Sequence, residues 1–301
     1  RTSPYSRIYG ATRYDTMAAA VKSAFPDGSS TVIVASGENW PDALAASSLA
    51  GVKDCPVILT EPDQLTKQTS DLLTSLKVSD ATIIGGTAAV SDDVKAAIEK
   101  MGIRTDRIGG DDRMQTAEKV EEEIMKSSSS DTIIISSGQN FPDALSISSY
   151  AYAQKDPILL TGTDGKLTGT SLTIAKKFRN AVIVGKEGAV SGNVETQLSG
   201  AAVKRYGGSD RYGTSLEIIN GLFGGKAAAL AVSTGSSYPD SLVSAALSGK
   251  SNGAILLVDG KGTSLTENQK TVLKNAGSVW ILGGDNAVSA VMKTSIDSAL
   301  R

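Results

Sequence analysis

Residues 31–45 read TVIVASGENWPDALA, and the same punctuation returns at 132–146, TIIISSGQNFPDALS, and at 229–243, ALAVSTGSSYPDSLV. The apolar run that begins each copy is short and unbroken, and in the first it is mostly β-branched. That pattern predicts a strand buried on both faces, hence a parallel sheet. Each run then breaks at Ser36-Gly37, Ser137-Gly138 or Thr234-Gly235, passes two polar residues and an aromatic, and reaches Pro-Asp. Pro41, Pro142 and Pro239 suit the first turn of a helix, and Asp42, Asp143 and Asp240 complement its dipole.

The copies extend outward in both directions. Upstream, each opens with Arg-x-x-Gly-x-x-Arg-x-x-Thr, at Arg7, Gly10, Arg13 and Thr16, at Arg107, Gly110, Arg113 and Thr116, and at Arg205, Gly208, Arg211 and Thr214. Downstream, a second apolar run ends at Thr60, Thr161 and Val258, and a third at Gly85-Gly86, Gly185-Lys186 and Gly283-Gly284, followed each time by Ala-Val-Ser. The chain is therefore a threefold tandem repeat of about 100 residues.

Strands are predicted at 31–35, 57–60 and 81–84, with the Arg-Ile-Tyr segment at 7–9 as a fourth; helices at 42–49, 66–76 and 91–101 alternate with them. Ser91, Ser191 and Ser289 are expected to cap the last helix of each copy. Each copy is long enough to form one doubly wound domain. Boundaries at 1–101, 102–199 and 200–301 follow if each opener belongs to the module it starts. No linker separates them, so the modules should pack, most economically around a pseudo-threefold axis.

Among 301 residues there are 30 Lys and Arg, 32 Asp and Glu, no His and one Cys. Near-neutrality argues against nucleic acid as a partner. No apolar stretch is long enough to insert in a membrane. Cys55, before an apolar run, reads as a core residue. The start at Arg1, without Met or an apolar leader, suggests a trimmed or mature form. Without His, neither a Ser-His-Asp relay nor a His-ligated zinc site can be built, and neither a phosphate loop nor a dinucleotide fingerprint is present. No metal or cofactor is expected.

Ligands of open α/β sheets bind beyond the carboxyl ends of the strands, where the Ser/Thr-Gly and Gly-Gly loops fall. Glycine there would let backbone N–H groups approach an anion, and Arg13, Arg113 and Arg211 could supply planar charged forks. The candidate site is thus Arg13, Arg113 and Arg211 with Ser36, Gly37, Asp42, Ser137, Gly138, Asp143, Thr234, Gly235 and Asp240. Each has a structural alternative: arginine as an ion pair to Asp112, Asp210 or Pro-Asp, aspartate as helix-start stabiliser, and Trp40, Phe141 and Tyr238 as packing anchors rather than sugar platforms. Writing one loop chemistry three times suits avidity for a repetitive polymer better than it suits an enzyme.

Together these motifs closely resemble the type 2 cell-wall-binding repeat of Gram-positive surface proteins. The resemblance implies toprim-like or flavodoxin-like α/β modules with parallel sheets, three around a pseudo-threefold axis. It further implies a secreted protein at the cell wall or cell surface, tethered without catalysis to an anionic cell-wall polysaccharide or teichoic-acid-like polymer, beside neighbouring surface-layer proteins. The family pattern lands on the three arginines, on Pro-Asp, and on Leu59, Leu159 and Leu256 in a central strand. Thr12, Lys186 and Val258 depart from it and put equal binding by all three copies in question. A glycan-processing hydrolase acting through Pro-Asp and a protein-protein lattice scaffold stand as alternatives.

Overall fold

The structure is a computed structural model that describes residues 5–301. The first repeat forms β1 (Tyr5–Ile8), α1 (Arg13–Ala24), β2 (Thr31–Ser36), a 3-10 turn (Pro41–Ala45) running into α2 (Ala46–Lys53), β3 (Val57–Thr60), α3 (Lys67–Leu76), β4 (Asp80–Ile84) and α4 (Asp92–Lys100). The second forms β5 (Arg104–Ile108), α5 (Arg113–Met125), β6 (Thr132–Ser137), α6 (Pro142–Ser146), α7 (Ser148–Gln154), β7 (Ile158–Thr161), α8 (Gly169–Ala175), β8 (Asn180–Val184) and α9 (Asn193–Gln197). The third forms β9 (Ala202–Tyr206), α10 (Arg211–Phe223), β10 (Ala229–Thr234), α11 (Pro239–Gly249), β11 (Ala254–Val258), α12 (Glu267–Asn275), β12 (Ser278–Leu282) and α13 (Ala290–Ala299).

The strands form three four-stranded parallel sheets, ordered β3-β2-β4-β5, β7-β6-β8-β9 and β1-β12-β10-β11. Within each, the order is that of a flavodoxin-like sheet, with its switch point between the second and fourth strands of the repeat. One premise of the sequence reading is overturned. The opening strand of each repeat does not join the module it starts: β5 pairs with β4, β9 with β8, and β1 crosses the whole chain to pair with β12. The helix that follows stays with its own repeat, since α5 packs on β7 and α10 on β11. Boundaries at 101/102 and 199/200 therefore divide the sequence repeats but not the sheets. Sheet membership is a non-local property, and the local pattern carries no trace of it.

The strands expected to be central, β3, β7 and β11, lie at sheet edges, yet every residue in them is buried. Helices of the neighbouring repeat cover them: α11 reaches β3, and α6 reaches β11. Register also makes Leu160 and Leu257, rather than Leu159 and Leu256, the equivalents of Leu59, because they pair opposite Ser136 and Ser233 as Leu59 pairs opposite Ala35.

The helices α2, α7 and α11 meet along the axis. Their buried faces are rich in Ala, Ser and Gly, which lets backbones come close, and one buried cluster runs through all three repeats. Equivalent axial positions hold Gly51, Tyr152 and Gly249. A Cβ on Gly51 would lie 2.0 Å from the Tyr152 carbonyl oxygen, and one on Gly249 2.9 Å from the Tyr152 ring. The axis thus accepts one large side chain, flanked by two glycines. Ser91 and Ser289 cap their helices as expected. Before α9 the cap position is Gly192, and Ser191 Oγ accepts instead from the Asn193 amide. Among the described residues no helix is long and apolar enough to cross a membrane, and no group of three or more acidic or Cys residues could hold a metal ion.

Candidate functional site

The candidate residues gather at the three joints, each built from two repeats. The opener of one repeat faces the Pro-Asp loop of the repeat before it in the ring. The guanidinium of Arg113 lies over the Trp40 ring, 5.1 Å from its centroid, and that of Arg211 lies 5.7 Å from Phe141. At the closing joint Arg13 acts on the buried Asp240 and Tyr238. Each arginine also donates Nη1 to the glycine carbonyl of its own loop, Arg13 to Gly37 and Arg211 to Gly235 at 2.5 Å, and Arg113 to Gly138. Among the described residues none of the three makes an ion pair, so the structural alternative of pairing with Asp112 or Asp210 fails. Those two carboxylates are occupied as N-caps, accepting from the Gln115 and Gly213 amides at 2.7 Å. Thr12 performs the same task through a capping box with Asp15, so its departure from the pattern leaves the joint intact.

The aspartates sit beside the loop after the fourth strand of their own repeat. A Cβ on Gly185 or Gly283 would come 2.7 Å from Oδ2 of Asp143 or Asp240, and one on Gly85 3.0 Å from the Asp42 Cβ. Gly85, Gly185 and Gly283 also have φ of +115°, +109° and +96°, which disfavours any side chain. The second glycine of the pair meets no such demand: the nearest atom to a Gly86 Cβ is 3.8 Å away, which is why Lys186 fits. The opener threonine closes the turn, Thr16, Thr116 and Thr214 accepting from the amides of Gly10, Gly110 and Gly208.

Two sequence assignments change role. Ser36, Ser137 and Thr234 are buried and fold their own loops, accepting from amides two or three residues on. The N–H groups of Gly37, Gly138 and Gly235 are not presented to an anion but bond the carbonyls of Thr60, Thr161 and Val258. Gly37 and Gly235 are required because a Cβ would lie 2.7 Å from the rings of Tyr14 and Tyr212. Trp40, Phe141 and Tyr238 pack against one another, with centroids 5.9 and 6.2 Å apart, and Tyr238 donates its hydroxyl to the Ser36 carbonyl at 2.8 Å. They are anchors of the axis.

Sequence reasoning gave no role to the first arginine of the opener. Arg7 donates to the Gly283 and Val288 carbonyls at 2.7 and 2.5 Å and pairs with Asp285 at 3.0 Å, while Arg107 and Arg205 bind the Gly85 and Gly185 carbonyls at 2.9 Å. These residues rivet each opening strand to the preceding repeat. At the closing joint Arg7 borders a cleft of about 690 Å³ lined also by Tyr9, Arg13, Asp240, Asn286 and Lys293, among others.

Burial pushes the Asp240 carboxyl up to about 6, against the opposing pull of Arg13, and raises Asp143 in the same sense against Arg211 and Thr214. A folded value above the unfolded one, about 3.9, means that ionisation weakens the fold. The contribution is fully present below pH of about 4 and is lost as pH rises through about 6. Wild-type stability should therefore decline across that window, with Asp156, also pushed up to about 6 by burial, sharing in the decline. Asp240→Asn should make the decline shallower by about 2–3 kcal/mol, read from urea midpoints against pH. An unchanged slope would mean that Asp240 is neutralised equally in both states.

The sequence profile of the family described as cell wall binding domain 2 (CWB2) matches residues 7–95, 107–195 and 205–293, each match starting at the first opener arginine or its equivalent. The chain belongs to the CWB2 family. Its repeats are similar to the N-acetylmuramoyl-L-alanine amidase LytC of Bacillus subtilis (strain 168), 31% identical over 94% of this chain and 56% of that protein. They are also similar to the amidase enhancer of the same organism, 33% identical over 96% of this chain and 40% of that protein. The chain thus spans about half the length of the curated relatives it matches. Among solved structures, Cwp6 from Clostridium difficile superposes with a TM-score of 0.92 at 28% identity, over 99% of this chain and 48% of that one. Cwp8 from the same organism gives 0.86 at 25% identity, over 98% and 51%. Membership in the CWB2 family makes this a cell-wall-associated surface module, and what it shares with LytC is the repeat region.

Proposed function

We propose that the chain is a non-enzymatic anchor that holds a surface protein to an anionic secondary polymer of a Gram-positive wall, gripping it at the three joints. The observation that carries the reading is the state of Arg13, Arg113 and Arg211. Each is exposed or half-buried, sits at a joint, and uses a single guanidinium hydrogen bond to the backbone among the described residues. The remaining donors of a planar, permanently charged fork are left for phosphate or carboxylate. Arginine over an aromatic face is also held in orientation before any ligand arrives, so less freedom is lost on binding. Three such forks fixed in one ring raise the affinity for a repeating polyanion well above that of any one of them.

Incubating the purified chain with Gram-positive cell walls, before and after acid stripping of their anionic polymers, tests this. Binding should be lost on stripping and weakened by salt. Equal binding to both preparations would redirect the target to peptidoglycan, and soluble fragments released during incubation would favour the hydrolase alternative.

A further inference from the structure

Among the positions at which the three openers differ, one beside the cleft changes the shape of the joint. The second and third repeats carry Gly109 and Gly207 there, where a Cβ would lie 2.6 Å from the Gly85 carbonyl carbon and 2.5 Å from that of Gly185. At those joints no side chain fits. The first repeat carries Tyr9 after a strand in the same register, Ile8 opposite Leu282 as Ile108 is opposite Ile84. At this joint the Gly283-Gly284 loop accommodates a full aromatic ring, and a Cβ on Gly284 would stand 3.5 Å from Tyr9 Cδ2.

Tyr9 is 60% exposed, one of two large hydrophobic residues so displayed among the described residues. The Arg7 guanidinium lies 5.8 Å from its centroid, braced in turn by its bonds to Gly283 and Val288. The ring therefore stands at the rim of the cleft on a supported base, with Arg13 supplying positive charge beside Lys293, which pairs with Asp297 at 3.1 Å, and with Ser236 and Asn286 supplying hydroxyl and amide groups. An aromatic face with its negative quadrupole complements the C–H face of a sugar ring, while the cations and amide suit its charged substituent and hydroxyls.

We propose that Tyr9 is a stacking platform for a pyranose ring of an anionic glycan, which makes the joint between the third and first repeats the sugar-reading one of the three. The proposal rests on the polymer-binding reading above. At the other two joints, glycine at this position leaves charge as the main means of recognition.

Two soluble probes separate the contributions: a pyranose 1-phosphate polysaccharide, and poly(glycerol phosphate), whose backbone contains no ring. Tyr9→Gly installs the residue found at the equivalent positions, so the fold should be retained, and an unchanged thermal midpoint would establish that. It should weaken binding of the pyranose polymer by about three- to tenfold and leave poly(glycerol phosphate) within about twofold of wild type, while Tyr9→Phe should bind both as wild type does. Unchanged binding of both probes by Tyr9→Gly overturns the platform and leaves the three-joint reading standing. Equal weakening on both overturns the sugar specificity. Wild-type protein that binds neither probe nor cell walls overturns the polymer reading, and the platform with it.

Discussion

Replacing Arg13, Arg113 and Arg211 together by alanine is expected to lower the apparent affinity for cell walls by at least about 10²-fold, the scale on which linked weak sites reinforce one another. Each arginine contributes one hydrogen bond to its own loop, to Gly37, Gly138 or Gly235. Its loss should weaken the fold by about 1 kcal/mol per site, so the triple variant should remain folded. Single variants should show graded losses, and their ranking reads directly whether the joints contribute equally. Lysine should restore only part of the loss, since it keeps the charge but not the planar fork. A triple variant that is folded and binds walls as wild type would sink the site assignment, whatever the wall component proves to be.

The second large effect concerns closure of the ring. Removing residues 1–8 takes away β1, its four-residue pairing with β12, the three bonds of Arg7 to the third repeat, and the acceptor of the Gly283 amide. At roughly 1 kcal/mol for each net hydrogen bond, the loss should exceed about 4 kcal/mol, a large fraction of the stability of an ordinary domain. It also bares the edge of β12, so the truncated chain should self-associate. Arg7→Ala should reproduce part of the destabilisation without exposing the edge. Adding a synthetic peptide of residues 1–12 to the truncated chain should raise its thermal midpoint in a concentration-dependent way, as any ligand of the native state does. A truncated chain that melts like the full one would show that the crossing strand does not hold the ring.

Much of this architecture is legible locally. Val32 to Ala35 and Val57 to Leu59 announce two-sided burial because a polar residue there would have no water to meet, and Pro41, Pro142 and Pro239 mark helix starts by stereochemistry alone. The three arginines stand out as candidates because their spacing recurs. What could not be read is everything decided by partners far along the chain. Arg113 meets Trp40 rather than Phe141, and β5 joins β4, because modules exchange their opening strands, and nothing within a single repeat records its neighbour. Likewise Gly37 reads as a ligand loop until the ring of Tyr14 is seen to occupy the space. Tyr9, where the other repeats carry Gly109 and Gly207, reads only as part of a strand, because its significance needs the shape of the joint.

The exchange of opening strands also fixes how many repeats the chain can contain. In an open solenoid each unit touches only its neighbours, so units can be gained or lost one at a time. Here β5 and β9 hand each repeat on to the one before it, and β1 returns to β12, so that the last link of the series is also the first. Deleting one repeat would leave two that must meet across an axis shaped for Tyr152 between Gly51 and Gly249, and inserting a fourth would hold that axis open. Such a chain cannot drift in length by small steps. Divergence among its descendants should therefore be confined to substitution within the repeats and to whatever is fused at their ends, with the count of three inherited whole.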